Sequence, residues 1–259
     1  MEGLEARLTV GEYLITGGFG MKCILDSSSG SDWAKVTMTE ELQDFLKDKN
    51  TDECRLELGN SQSCEILISG RGRITSENVM VIYADEKARQ KEGISVFFLD
   101  ATFQEAVKYI LMYYGIENYC LTEQSYGRKQ NFKIDARSYT DAFLQLNAIY
   151  GTDVDFFNQN GTFYCGVQPD QEEYYVLTDD QILDMEQTGN VWRAEIIPIP
   201  GLTARKLVRI EGEEYTGMAY VQKCIAESEG ANIDIWIEFR EKNFQNNCNR
   251  DYLQLRFII

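Results

Sequence analysis

Hydrophobic and polar residues alternate in short runs along the first part of the chain, and glycine, serine and asparagine interrupt the runs. Alternation with a period of two is typical of half-buried antiparallel strands. We therefore predict an antiparallel barrel or sandwich with one short helix, Glu40 to Leu46, capped by Thr39. The strands expected here are 33–38, 54–58, 65–70 and 79–83.

The middle of the chain changes to helical spacing after a strand at 94–99. Thr102 and Glu105 form a capping box, and Gly115 ends the predicted helix. A second helix of the same plan begins after Ser138 and ends at Gly151, at an offset of 36 residues. Because strands flank each helix, this internal repeat predicts two strand-helix units in one small α/β domain.

Strand patterns return towards the C-terminus. Asn160-Gly161 is a strong hairpin signal between two aromatic pairs. Beyond Pro169, further strands are expected at 191–197, 205–210, 217–224 and 232–239. The apolar strand 252–259 should pair within the fold or with a neighbouring subunit, because an unpaired edge promotes aggregation.

The predicted fold class is α+β and mainly β. Two antiparallel β-barrel-like units flank a small α/β domain that carries the two repeated strand-helix units. The predicted domains are 1–98, the first β-barrel-like domain, 99–176, the α/β middle domain, and 177–259, the second β-barrel-like domain with its C-terminal strand.

The composition argues against intrinsic catalysis. The chain contains no histidine, so the commonest general base and the usual Ser-His or Cys-His arrangements are absent. Its seven cysteines are scattered without a Cys-x-x-Cys motif, and we expect them to be reduced and mostly buried. No catalytic, cofactor-binding or metal-binding residue is assigned, and no cofactor is expected.

Two segments resemble ligand sites only superficially. Gly17-Gly18-Phe19-Gly20 lacks the lysine and the spacing of a phosphate-binding loop, and a hairpin turn explains it better. A second set of oxygen-bearing residues misses the spacing of a calcium loop, and a strand followed by an Asn-Gly turn is the preferred interpretation. This set comprises Asp153, Asp155, Asn158 and Asn160.

The charge makes nucleic acid an improbable partner. Forty-two acidic and twenty-five basic residues give a formal charge of −17, which repels phosphates. The small basic cluster Arg71-Gly72-Arg73 is interpreted as a strand followed by a polar turn. The start of the chain lacks the basic and apolar regions of a secretory signal, and no apolar run is long enough to span a bilayer. We expect synthesis to end in the cytoplasm.

Aromatic residues leave the type of function open. Trp33, Trp192 and Trp236 fall on predicted strands, where core filling is the simplest role and an intersubunit anchor the alternative. Abundant tyrosines are compatible with a module that binds a glycan or a peptide. A hydrolase built on paired carboxylates is a third possibility. The tyrosines concerned are Tyr113, Tyr114, Tyr119, Tyr126, Tyr174 and Tyr175.

The order of elements resembles the phage tail baseplate hub family, which includes late-control-D-like tail proteins and the hub of contractile injection systems. The resemblance is carried by local phrases in a fixed order along most of the chain. These phrases are Ile66–Gly72, Val81–Asp85, Asp100–Ala106, the helix Val107–Tyr114 with Gly115-Ile116, Phe132–Asp135, Leu177–Leu183, Ile197–Leu202 and Leu207–Ile210.

This resemblance implies a structural protein of an assembled tail or injection particle. In such hubs, two tube-like barrels per subunit form a ring of three that imitates a six-fold tail tube and connects it to the central spike. The implied partners are two further copies of the chain, the tail tube protein, the spike protein and other baseplate proteins. No catalytic residue carries over.

Overall fold

The contacts of the chain divide it into two compact units in this computed structural model. The β unit comprises Met1–Asp26, Asp32–Ala84 and Asp170–Ile259, and the helical unit comprises Ser27–Ser31 and Asp85–Pro169. The structure describes residues 4–28, 32–60, 64–84, 93–159, 161–169, 171, 173–229, 232–241 and 256–258.

Seven strands and one helix of the β unit are described in the first part of the chain. Thr39 caps the helix, and its hydroxyl accepts a hydrogen bond from the amide of Leu42 at 3.3 Å, as predicted. The elements are β1 Glu5–Val10, β2 Tyr13–Ile15, β3 Phe19–Asp26, β4 Trp33–Met38, α1 Glu40–Leu46, β5 Cys54–Gly59, β6 Cys64–Ser76 and β7 Val79–Tyr83.

Two longer helices and seven short strands lie in the described part of the helical unit. Its strands form a three-stranded sheet and two pairs. The elements are β8 Ile94–Phe98, β9 Ala101–Thr102, α2 Phe103–Tyr113, β10 Tyr119–Leu121, β11 Arg128–Lys129, β12 Phe132–Ala136, α3 Tyr139–Tyr150, β13 Phe156–Gln159 and β14 Thr162–Cys165.

Seven more described strands of the β unit come from the last part of the chain. A single 3-10 turn, Asp179–Gln181, separates the first two. The strands are β15 Glu173–Thr178, β16 Ile182–Thr188, β17 Val191–Ile196, β18 Leu207–Glu211, β19 Thr216–Glu229, β20 Asn232–Glu241 and β21 Arg256–Ile258. Only 256–258 of the predicted C-terminal strand lies within the described residues, and it pairs with β15.

One large sheet runs through the β unit. Its main path is β16-β17-β20-β19-β3-β4-β7-β6-β5-β1-β2, and β18, β15 and β21 branch from β19. The prediction of a mainly β protein with antiparallel sheets is confirmed. The pairs β15·β18, β15·β21 and β10·β14 are parallel, which the alternation pattern did not predict. Among the described strands, no pairing closes this sheet into a barrel.

The two units do not coincide with the three predicted domains. Strand β8, expected to end the domain 1–98, pairs with β12 in the helical unit. The segments 4–84 and 173–241 share one sheet through β3 and β19, and they share one hydrophobic core. Pairing between strands so distant in sequence leaves no trace in local patterns. The division into domains 1–98, 99–176 and 177–259 stays a prediction.

The internal repeat is visible in the caps of α2 and α3. Thr102 and Glu105 form the predicted capping box, with the amide of Thr102 donating to Glu105 Oε2 at 2.7 Å. Ser138 accepts from the amide of Asp141 at 3.2 Å. Gly115 and Gly151 adopt positive φ after the last turn of each helix, as left-handed caps require. Both helices pack into one core cluster, as the repeat predicts.

The basic cluster Arg71-Gly72-Arg73 is not the turn that was predicted. It lies inside β6, which pairs with β5 up to Gly70 and with β7 from Arg71 onwards. A Cβ atom at Gly70 would collide with the carbonyl of Tyr83, and one at Gly72 would lie 2.6 Å from Cys54 Sγ. The glycines therefore let the strand pass closely over its neighbours as it changes partners.

Candidate assembly surface

The glycine-rich segment Gly17-Gly18-Phe19-Gly20 follows β2 and includes the start of β3. It joins β2 to β3, and the carbonyl of Gly18 accepts a hydrogen bond from the amide of Thr39 at 2.8 Å. It is not a hairpin turn, because β2 pairs with β1 whereas β3 pairs with β4 and β19. The pairing of strands across the whole β unit, which the local sequence does not show, excludes the hairpin.

The described members of the oxygen-bearing set, for which the sequence favours a strand and a turn over a calcium loop, lie in or just before β13. Strands β13 and β14 pair antiparallel as predicted, and Gly161 has a φ of 76° in the turn. Asn158 is opposite Phe163 within the ladder, while Asn160 lies outside the described residues. In the described part of the chain, no group of three or more Cys, Asp or Glu side chains is arranged to hold a metal ion.

Most of the described cysteines are buried, as predicted. Cys23, Cys54, Cys165 and Cys224 are buried, Cys64 is half-buried and Cys120 is exposed. Burial raises the pKa of Cys224 to about 12, and the nearby carboxylate of Asp32 adds to the increase. Burial likewise raises the pKa of Cys165 to about 12. These thiols stay protonated near neutral pH and are poor nucleophiles.

The three tryptophans lie on strands, as predicted, but on different faces of the sheet. Trp192 packs against the core and stacks on Phe239 with ring centroids 6.5 Å apart. Trp236 lies between the buried Ile235 and Ile237 in β20, and therefore points to the opposite face. The guanidinium of Arg193 lies 4.6 Å from its ring centroid.

A row of half-buried apolar residues crosses five strands on the face opposite the core. The cross-strand pairs Trp236↔Ile225, Ile225↔Ile24, Ile24↔Trp33 and Trp33↔Tyr83 connect its members. We call these five residues the apolar belt. Ion pairs flank it on both sides, Lys22–Glu227 at 2.9 Å and Lys223–Glu238 at 4.0 Å. An apolar strip with a charged rim is typical of protein interfaces.

The strands at the two ends of the sheet's main path, β2 and β16, form a second candidate surface for assembly. Among the described strands, β2 pairs only with β1, and β16 only with β17. Each edge strand carries a leucine that is largely exposed, Leu14 at 60% and Leu183 at 62%. Unpaired edge strands are templates for a strand of another chain, and bulges limit such pairing. Strand β16 has one register shift, between Ile182 and Asp184, and its ladder with β17 is regular from Asp184 to Thr188.

No helix in the described part of the chain is both long and apolar enough to cross a membrane.

Solved structures share this fold over almost their whole length. The tail protein of Neisseria meningitidis MC58 superposes with a TM-score of 0.60 at 10% identity, over 94% of this chain and 98% of that one. The 43 kDa tail protein of prophage MuSo2 from Shewanella oneidensis gives a TM-score of 0.58 at 11% identity, over 92% and 98%. The chain has the fold of phage tail proteins.

The same fold occurs in a secretion system. The E. coli c3393 protein is described as a component of the type VI secretion system with structural similarity to the T4 bacteriophage tail proteins gp27 and gp5. It superposes with a TM-score of 0.54 at 8% identity, over 95% of this chain and 79% of that one. No family model matches the chain, and no curated protein matches it in sequence. The resemblance to tail proteins that the order of elements predicted is confirmed at the level of fold.

Proposed function

We infer that the protein is a structural component of a phage tail or a related secretion particle, where it forms a ring that joins the tail tube to the central spike. The observation that carries this proposal is the shared fold. It extends over more than nine-tenths of this chain and of the two tail proteins. A likeness of this extent favours a shared mechanical role over a small ligand module.

The ring is proposed to contain three copies of the chain. A cyclic assembly needs two different patches per subunit that meet head to tail and close the ring. The edge strands β2 and β16 supply two such patches in one subunit, because each has one unpaired side among the described strands. Pairing β16 of one copy with β2 of the next would bury Leu14 and Leu183.

The remaining assignments follow from the same proposal. The two predicted β-barrel-like domains would form the wall of the ring, and the tail tube, spike and other baseplate proteins would be its partners. The chain would be made in the cytoplasm and then reside in the assembled particle. We propose no intrinsic catalysis, since the chain contains no histidine and its described buried thiols remain protonated.

The oligomeric state tests the ring. Light scattering should give the mass of three copies for the purified chain alone, or three copies plus the bound partner when its tube or spike protein is added. Replacing either edge leucine, as Leu14→Lys or Leu183→Lys, should convert trimer to monomer, because a lysine at the interface must be desolvated. The matched control is Leu144→Lys, which changes a leucine that is 50% exposed on the helical unit.

Several results would contradict the proposal. Monomers under all these conditions would contradict the ring. A trimer that survives both edge substitutions would contradict pairing through the edge strands. Turnover of peptidoglycan that is lost on changing one acidic residue to alanine would favour the carboxylate hydrolase. Tight binding of a glycan or peptide by a stable monomer would favour the ligand-binding module.

A further inference from the structure

The β unit contains a buried ion pair between residues that are distant in sequence. The guanidinium of Arg205 contacts both carboxylate oxygens of Asp32, with Nη1–Oδ2 at 2.6 Å and Nη2–Oδ1 at 2.7 Å. The two side chains are only 8% and 11% exposed. Breaking such a pair leaves an uncompensated buried charge, so its geometry is strongly held.

The partners of this pair lie where the chain leaves and re-enters the β unit. The chain crosses between units after Asp26, before Asp32, after Ala84 and before Asp170. Arg205 Nη2 donates to the carbonyl of Asp26 at 3.1 Å, and the amide of Asp26 donates to Asp32 Oδ1 at 3.0 Å. The amide of Ala84 donates to the carbonyl of Asp32 at 3.1 Å.

Gln171 lies next to the fourth crossing and forms hydrogen bonds with the segment that contains Arg205. Its Nε2 donates to the carbonyl of Arg205 at 2.6 Å, and its Oε1 accepts from the amide of Leu207 at 3.0 Å. The two residues of the pair are therefore hydrogen-bonded to residues at or next to the other three crossings, through their side chains at Asp26 and through their main-chain carbonyls at Ala84 and Gln171. This arrangement brings together 26, 32, 84 and 171, which no local pattern connects.

The backbone at Arg205 supports a specific role for its side chain. Its φ is 72°, in the left-handed region that favours glycine. An arginine is unfavourable in this backbone conformation, and the bidentate contact of its side chain with Asp32 offsets that cost.

We propose that the Asp32–Arg205 pair is a latch that holds the four crossings together at the margin of the β unit. With the latch closed, the backbone at Asp26, Asp32, Ala84 and Gln171 is held in one place in the β unit. With the latch open, these four points move independently, while the sheet and core of the β unit persist. This role is independent of ring formation and of the particle in which the chain acts.

Hydrogen exchange of individual amides tests the latch. In Arg205→Met, the amides of Asp26, Ala84 and Leu207 should exchange at least about tenfold faster, because hydrogen bonds to or next to the lost charge open. Amides in the centre of β19 and β20 should keep their protection. Arg205→Gly should act in the same direction although glycine suits the backbone. Glu227→Gln, which breaks the exposed Lys22–Glu227 pair, is the matched control and should leave these amides unchanged.

A uniform acceleration of all amides in Arg205→Met would show that the pair merely adds global stability, and would overturn the proposal. Unchanged exchange at the crossings would do the same. Arg205→Lys provides a milder test if Arg205→Met fails to fold. It keeps the charge but loses the two-pronged contact, and a selective effect at the same three amides is again expected.

Discussion

At the scale of single residues, the face of the sheet on which a side chain lies determines its role. Trp192 and Trp236 are both half-buried and lie on neighbouring strands. Trp192 lies with Phe239 and Tyr215 against the core, with a centroid distance of 5.3 Å to Tyr215. Trp236 belongs to the apolar belt. Core filling therefore accounts for Trp192, whereas Trp236 remains available for the anchoring role.

The two tryptophans should differ in their contribution to stability. We expect Trp192→Ala to lower the free energy of unfolding by about 3 kcal/mol, because it removes a large ring from the core. Trp236→Ala should cost about 1 kcal/mol, mainly through the contact with Arg193. Urea unfolding monitored by circular dichroism measures both values. Equal losses in the two variants would contradict the assignment of faces.

At the scale of elements, the change of partner along β6 depends on glycine. We expect Gly70→Ala to destabilise the protein by at least about 2 kcal/mol, because the new methyl group meets backbone atoms of Tyr83 that cannot rotate away. Gly17→Ala is the matched control, since no atom lies within 4 Å of the added Cβ. Thermal unfolding should separate the two variants, and a stable Gly70→Ala protein would argue against this close approach.

The start of α2 should depend on pH. The hydrogen bond from the amide of Thr102 lowers the pKa of Glu105 below its ordinary value of 4.5, and the hydroxyl of Thr102 adds to this. Because the folded state lowers this pKa, the capping box contributes stability above pH 4.5 and loses it as the pH falls through the folded value. NMR titration of the Thr102 amide should show the loss below pH 4.5.

Two variants identify the group responsible for that titration. Glu105→Gln keeps an acceptor for the Thr102 amide but has no carboxylate, so the acid transition of this amide should disappear. Glu117→Gln changes an exposed acid beyond the end of α2 and should leave the transition in place. A transition that persists in Glu105→Gln would assign the effect to another group.

At the scale of the whole molecule, the negative charge is concentrated in one unit. The β unit has 31 acidic and 17 basic residues, a net charge of −14, whereas the helical unit has 11 and 8, a net charge of −3. If the β units form the wall of a ring, most of the charge belongs to that wall. A negatively charged wall repels a polyanion.

We therefore expect part of this charge to face the lumen of the ring. Salt screens charges beyond a Debye length of about 8 Å, so such a lining acts only on molecules close to the wall and prevents adhesion without blocking passage. A structure of the assembled ring tests this orientation. A basic or apolar lining would refute the proposal that the lumen is a passage for a polyanion, although the proposal of a ring would be unaffected.

Local elements could be predicted from the sequence because their signals are local. The cap at Thr39, the capping box of Thr102 and Glu105, and the left-handed glycines 115 and 151 act within one helical turn. Alternation located β4, β5 and β7 to within a residue of their bounds. From the sequence, we could predict only that the chain acts through an assembly surface. The edge strands that form this surface could not be located, because no residue pattern marked them.

The tertiary structure alone decided which strands are neighbours. The pairing of β3 with β19 joins distant parts of the chain in one sheet, and it creates both the apolar belt and the crossing points at Asp26 and Asp32. The sequence by itself determined the elements and a mainly β fold, since these depend on short-range periodicity. The edges, the belt and the buried pair of Asp32 with Arg205 depend on long-range pairing, in which the packing of the whole core selects among many locally equivalent registers.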